Sequence, residues 1–272
     1  MLLEVKNLGH RYPSGEEALK GVSFSIADTS PVAIIGQNGA GKTTTVKHLN
    51  GLLRPTTGSI LINGVSIAKH STAEWAKTVG YVFQNPDNQL FLESVKKEFE
   101  FGPKQIGMSK IQIANRLDEI ADLVGLSDKL ESHPFDLTAT EKKFCTIGSV
   151  LMMNPKIVIL DEPTCGQDIT GNMRLKKIIR QLESQRVLCI TISHDMRFVV
   201  ENFKRIIVMR QGQVILDGDR HTVFSNTKTL QSSFVSPPLI TRLGQEAGLN
   251  QLVFDAQDFM SQFEQKYQQI RV

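Results

Sequence analysis

The stretch "VAIIGQNGAGKTTTV", residues 32–46, constrains this chain more than any other. It carries Gly-x-x-x-x-Gly-Lys-Thr from Gly36 to Thr43. The apolar run before it predicts a strand, and the residues after it predict a helix, which is the context this spacing needs. Glycines let the backbone bend until successive N–H groups point at one anion. The helix start adds partial positive charge at the same place. Lys42 then reaches the β- and γ-phosphates, and the Thr43 hydroxyl is a ligand for Mg2+. The stretch therefore predicts a nucleoside-triphosphate site. An Asn-Lys-x-Asp guanine reader is absent, which argues against a GTPase. With 272 residues, 40% of them apolar, the chain has enough material for one large buried core and an appendage.

The flanking segments predict how that unit is built into a fold. "LLEVKNL" and "VSFSI" are short β-like runs bounded by turn formers, and "GSILINGVSI" reads as a hairpin about Asn63-Gly64. "VGYVF" is a short buried strand. From about residue 88 to 150 the pattern turns helical, with a stripe at Leu117, Ile120, Ala121 and Val124 closed by Gly125. "KIVILD", "VLCITIS" and "RIIVM" then return as continuous apolar runs between helical segments, the pattern of a parallel sheet covered on both faces. Beyond Pro237-Pro238, "LITRLGQEAG" is a short helix ended by Gly248. Asp255 can cap a last helix, with a stripe at Ala256, Phe259, Met260, Phe263, Tyr267 and Ile270. That stripe serves either packing on its own domain or contact with another subunit.

Three further positions carry chemistry. Asp161 and Glu162 end the run "KIVIL", the arrangement of a metal-holding carboxylate beside a base in phosphoryl transfer. His194 follows the next strand. A lone histidine is more often structural, but ligands bind at the C-terminal edge of such sheets, which favours a functional reading. Gln84 ends "VGYVF", where an amide can touch both Mg2+ and an attacking water. "FDLTATEKKF", residues 135–144, places Thr138 three before Glu141, the spacing of a capping box that starts a helix.

Composition excludes several classes. No apolar run approaches the roughly 20 residues that span a bilayer. "MLLEVKNLGHRY" lacks the apolar core and cleavage site of a signal peptide. Cys145, Cys165 and Cys189 have no C-x-x-C spacing, so neither a zinc site nor a disulfide framework is indicated, and a reduced, cytoplasmic setting is expected. A net charge of +3 is too mild to argue for nucleic acid, and none is expected as a partner; it permits contact with an anionic membrane surface without requiring it.

With "GQNGAGKT", "FQ", "LTATEKK", "ILDEPT", "GQD" and "SHD" in this order, the chain resembles the ATP-binding subunit of an ABC transporter over about residues 2–225. The resemblance implies two such subunits that sandwich two ATP molecules head to tail, each nucleotide lying on one subunit's phosphate loop and capped by the other's signature helix. By it, Tyr12 stacks on adenine. Gly36, Gln37, Asn38, Gly39, Ala40, Gly41, Lys42, Thr43 and Thr44 form the phosphate loop. Thr43, Gln84 and Asp161 serve Mg2+. Gln84, Glu162 and His194 serve hydrolysis, and Asp168 belongs to the D-loop. Leu137, Thr138, Ala139, Thr140 and Glu141 are then the signature in altered form, Ala139 and Thr140 standing where the family has two glycines.

"FQNPDNQLF", "EFEFGP" and "PPLITRLGQEAG" resemble the ATPases of energy-coupling factor (ECF) importers, which take up vitamins and cobalt or nickel ions. That implies a second, non-identical ATPase, a transmembrane T-component and a substrate-binding S-component as partners, at the cytoplasmic face of the membrane. The expected fold is α/β. A P-loop NTPase core with a mostly parallel sheet carries an antiparallel β subdomain, an inserted helical subdomain at about 88–150 and a small C-terminal helical extension. The ATPase domain is expected at 1–228 and the extension, with an ATPase–ATPase contact, at 229–272. Leu90 and Phe91 are expected to be exposed and to offer a groove for a membrane-subunit helix; the alternative is that they are core of the insert. Repair-type ABC ATPases are disfavoured because no long coiled coil separates Lys42 from Asp161, and translation-type ones because one cassette is present.

Overall fold

The computed structural model describes residues 2–270, with side chains described as far as residue 266, so the side chains of Tyr267 and Ile270 lie outside the described residues. Two long strands, β1 (Leu3–Arg11) and β2 (Glu17–Ile26), precede the short β3 (Val32–Ile35) and helix α1 (Lys42–Leu49). β4 (Thr57–Ile62) and β5 (Val65–Ser66) form a hairpin. Asn63 and Gly64 at its tip both have positive φ, 49° and 78°, as the tightest hairpin turn requires. α2 (Thr72–Ala76) leads into β6 (Val79–Val82).

The helical insert follows as α3 (Val95–Gln105), α4 (Lys110–Val124) and α5 (Ala139–Met152). Ser109 and Gln112 cap α4 reciprocally, Gly125 ends it, and Leu117, Ile120, Ala121 and Val124 are its buried stripe. Then come β7 (Ile157–Asp161), α6 (Ile169–Ser184), β8 (Leu188–Ile192), α7 (Met196–Asn202), β9 (Arg205–Arg210) and β10 (Gln213–Gly218). The chain closes with α8 (Arg220–Ser225), α9 (Thr227–Ser232), α10 (Leu239–Glu246) and α11 (Ala256–Ile270).

Among the described residues two sheets form. One is antiparallel, in the order β2-β1-β4-β5; the other has the order β10-β9-β3-β8-β7-β6 and is parallel except for β10. The strands of the second sheet are apolar on both faces because both are covered. Val32, Ile34, Ile157 and Ile159 face a core shared with the antiparallel sheet and α1. Their neighbours Ala33, Ile35, Val158 and Leu160 face a core shared with the insert and the later helices.

That larger core also takes in Leu230, Val235 and Phe254, so residues beyond 229 pack against the body of the chain, and α9 runs across that boundary. Asp255 caps α11 by accepting the Asp258 N–H at 2.8 Å. The expectation for Leu90 is corrected. Leu90 is 3% exposed and part of the larger core, whereas Phe91 is 62% exposed. Only one of these adjacent side chains can turn inward where the chain enters the insert. The compact leucine does so, and the Phe91 ring stands edge-on to Phe101 at 5.1 Å on the surface.

Candidate functional site

Because β3, β6, β7 and β8 run parallel, the residues that follow them collect at one edge of the sheet. A cleft of about 1440 Å³ opens there, lined by Tyr12, the loop from Gly36 to Thr44, Gln84, Glu162 and His194. The loop is tightly seated. A Cβ on Gly36 would come within 2.2 Å of the Met209 carbonyl oxygen, and one on Gly41 within 2.9 Å of the Ala18 carbonyl oxygen. No other residue fits at either place. Lys42 is 7% exposed, and its ammonium donates to the carbonyls of Gly36 at 2.7 Å and Gln37 at 3.0 Å. Burial holds that amine below its ordinary pKa, against the opposing pull of the Glu162 and Asp161 carboxylates.

The two carboxylates at the end of β7 have different surroundings. Asp161 is 2% exposed. Its Oδ2 accepts the Tyr81 hydroxyl at 2.7 Å, and its Oδ1 lies 3.5 Å from the Thr43 hydroxyl. Thr43 and Asp161 thus bring hard oxygen donors together, the ligand type that suits Mg2+. Glu162 turns out of the strand with φ 49°, its N–H donating to the Ile192 carbonyl at 2.9 Å. Its Oε2 faces His194 Nδ1 at 2.8 Å and accepts the His194 backbone N–H at 3.3 Å. A carboxylate fixed by an imidazole at the mouth of an anion-binding loop can orient and polarise a water molecule.

At the other end of the cleft, the Tyr12 hydroxyl lies 3.1 Å from the Thr44 hydroxyl, and the Tyr12 ring stands edge-on to His10 at 4.6 Å. Beneath them two buried imidazoles form a chain. His48 Nδ1 donates to the Thr44 carbonyl at 2.7 Å, and His48 Nε2 lies 3.1 Å from His10 Nδ1.

Thr138 to Glu141 and Asp168 do not line this cleft. Thr138 caps α5. Its hydroxyl accepts the Glu141 N–H at 3.3 Å, while Glu141 accepts the Thr138 N–H at 2.8 Å and the Thr138 hydroxyl at 2.9 Å. Bonding from Thr138 holds the Glu141 carboxyl below its usual range. Leu137 is buried in the larger core and anchors the segment, so the exposed face is Thr138 and Ala139 with Thr140 half-buried behind them. Asp168 is likewise a cap, accepting the Gly171 N–H at 2.6 Å at the start of α6.

Several participants escape a reading of the sequence. Tyr81 is one, although a tyrosine inside an otherwise apolar buried strand needs a hydrogen-bond partner, and Asp161 is that partner. Phe234, Val235 and Ser236 also border the cleft, reaching it from the far end of the chain. Lys143 is buried beside Gln84, which no local spacing announces.

Residues 19–165 match the ABC transporter family. The chain is similar to the energy-coupling factor transporter ATP-binding protein EcfA of Methanocaldococcus jannaschii, 36% identical over 244 residues that make up 89% of this chain and 88% of that one. It is 38% identical over 255 residues to the corresponding protein EcfA2 of Clostridium perfringens, with 90% of each chain covered. Among solved structures, cbiO1 from Clostridium perfringens, part of the ABC transporter complex cbiONQ, superposes with a TM-score of 0.76 at 31% identity over 91% of this chain and 99% of that one.

Proposed function

Since the chain belongs to the ABC transporter family, among the ATP-binding proteins of energy-coupling factor transporters, and is an ATP hydrolase coupled to transport, we propose that it energises an importer of vitamins or transition-metal ions as one half of a head-to-tail ATPase dimer. The observation that carries this reading is the convergence of Lys42, Glu162 and His194 on one cleft at the sheet edge. Gly36 to Thr44 hold the triphosphate, Lys42 neutralises its β- and γ-oxygens, and Tyr12 stacks on adenine. Thr43, Asp161 and Gln84 hold Mg2+, which when bound draws charge from the phosphate oxygens. Glu162 orients the attacking water and takes its proton. His194 keeps the Glu162 carboxylate aimed into the cleft and meets the γ-phosphate.

Thr138 to Glu141 serve the partner's nucleotide, which fits their exposure away from this chain's own cleft. Asp168 lies on the same joining face. The altered signature favours a non-identical partner ATPase. The T-component docks at the Asn85–Phe91 segment, and an S-component selects the transported substrate. As an ATP-binding subunit beside membrane components the chain works peripherally, at the cytoplasmic face; no helix among the described residues is long and apolar enough to cross a membrane. The ATPase domain ends near residue 228. Residues 229–272 hold the two ATPases together, using apolar side chains such as Leu239 and Met260 that stay exposed in the single chain.

Two measurements test this reading. Lys42→Ala removes a cation from a desolvated polyphosphate and is expected to cost about 2–5 kcal/mol of ATP affinity; equal affinity in mutant and wild type rejects the site. Purification of the chain from membranes is expected to bring a second ATPase and a multispanning subunit with it, and a chain that purifies with neither rejects the transporter assembly.

A further inference from the structure

Lys143, in the first turns of α5, is 3% exposed and points away from the surface that Thr138 and Ala139 present. Its ammonium donates to the backbone carbonyl of Phe83 at 3.2 Å and to that of Gln84 at closer range. Among the described residues no carboxylate stands within ion-pair distance of it. The direct bonds to the charge therefore come from a turn of backbone, while burial holds the amine below its ordinary pKa against the more distant pull of Cys165, Asp161 and Glu162. Buried carbonyls need donors, and an ammonium offers three. A bond from a charged donor is roughly twice as strong as a neutral one.

The neighbouring Lys142 grips the same turn from outside. Its ammonium meets the Asp87 carboxylate at 3.1 Å and lies over the Phe135 ring. Inside the turn, the Gln89 side chain accepts the Phe83 N–H at 3.1 Å, and the Asn85 side chain accepts the Asp87 N–H at 3.0 Å. Residues 83–89 are thus internally braced, and two consecutive lysines of α5 bind the brace to that helix.

We propose that Lys143 is a positioning residue that fastens the Gln84 turn to the start of α5, so that the helix end offered to a partner's nucleotide and the glutamine offered to this chain's own nucleotide move as one body. Lys143 does not line the nucleotide cleft. It links the two sites through one chain: closing α5 on the partner's nucleotide draws the Gln84 backbone with it, and hydrolysis at this chain's cleft answers to occupancy of the other. The inference rests on the head-to-tail reading above.

Lys143→Met keeps the length and apolar stem of the side chain and removes the charge; Lys143→Arg keeps the charge. The first measurement is hydrogen exchange on the full chain alone. Backbone amides of residues 81–91 are expected to exchange at least roughly tenfold faster in Lys143→Met, with residues 36–45 unchanged, because only the braced turn loses its anchor. Unchanged exchange at 81–91 overturns the proposal. The second measurement is ATP turnover in the assembled dimer with a partner that binds ATP but cannot hydrolyse it, so that the other site stays occupied and only this chain's own cleft turns over. Lys143→Met is expected to lower kcat about tenfold or more with KM for ATP held within about twofold, and Lys143→Arg to restore it. A parallel loss of kcat and ATP affinity indicates support of the fold alone and overturns the proposal, as does an unchanged kcat. If the wild-type cleft hydrolyses nothing, the reading of function fails instead, while the exchange measurement still decides whether Lys143 holds the turn. If Lys143→Met does not fold, Lys143→Gln, which keeps an N–H donor without charge, goes through the same two assays under the same criteria.

Discussion

His194 Nδ1 and Glu162 Oε2 lie 2.8 Å apart, and the same carboxylate oxygen accepts the His194 backbone N–H. Because a carboxylate only accepts, Nδ1 carries the proton in this contact and Nε2 is left free. Glu162→Gln keeps the shape of the side chain and loses the base. It is expected to bind ATP as the wild type does and to slow single-turnover hydrolysis at this chain's cleft by roughly 10²–10⁴. An unchanged single-turnover rate would remove Glu162 from the chemistry.

Leu90 and Phe91 separate folding from docking. Leu90→Asp puts a charge into the larger core and is expected to destabilise the chain by more than about 4 kcal/mol. Phe91→Asp loses an exposed edge-on ring pair, worth about 0.5–1.5 kcal/mol, and is expected to stay folded. It should nevertheless detach the chain from the membrane subunit while sparing ATP binding. A fully assembled Phe91→Asp complex would show that Phe91 is not the docking contact.

Burial pushes the His48 imidazole below its ordinary value of 6.5. Below pH 6.5 the unfolded chain takes up a proton at this position that the folded chain refuses. Unfolded protein then binds more protons than native, so this contribution to stability is complete above that pH and declines as pH falls toward the lower folded value. The unfolding midpoint of the nucleotide-free chain is expected to fall between about pH 7.5 and 5.5, and to fall less in His48→Gln, which does not titrate. Equal pH slopes in the two proteins would place the titrating group elsewhere.

Thr138 and Glu141 spend their polar groups on each other, so what distinguishes this helix start from one with glycines is the bulk of Ala139 and Thr140. Replacing both by glycine should weaken α5 by up to about 1 kcal/mol per position. Even so, hydrolysis is expected to rise at the site this helix closes in the partner and to stay level in this chain's own cleft. A relieved penalty of only ~1.4 kcal/mol is tenfold in an equilibrium constant. If neither rate changes, the two substitutions are neutral and the dimer's sites are equivalent.

How much of this could be read in advance followed the distance over which each feature is encoded. The phosphate loop, the acidic end of β7 and the capping pair of α5 are local spacings, and each stands in the structure where its spacing puts it. The hairpin at Asn63-Gly64 and the end of α4 at Gly125 are equally local, set by residues that tolerate positive φ. The bond from Tyr81 to Asp161 spans 80 residues, that from Lys143 to the Phe83 carbonyl 60, and the His48–His10 contact 38. Those meetings depend on strand order and on how the insert folds back, which no window of neighbours contains. The expectation for Leu90 failed differently, since Leu90 and Phe91 are both apolar and composition does not say which of two adjacent side chains turns inward.

The larger core runs from Phe99 and Ile120 of the insert through Leu175 of α6 and Val158 of the sheet to Phe224 and Phe254 near the C-terminus. The insert therefore shares its interior with the rest of the chain, its α4 resting on α6. Packed interiors resist the opening of voids, which disfavours a free swing of the insert on a flexible joint. Its available motion is shear, a short slide of one packed helix layer over the next. A displacement of that kind is small at its source and is passed on across the whole body, so that a push on the insert is felt at the C-terminal segment bordering the nucleotide cleft.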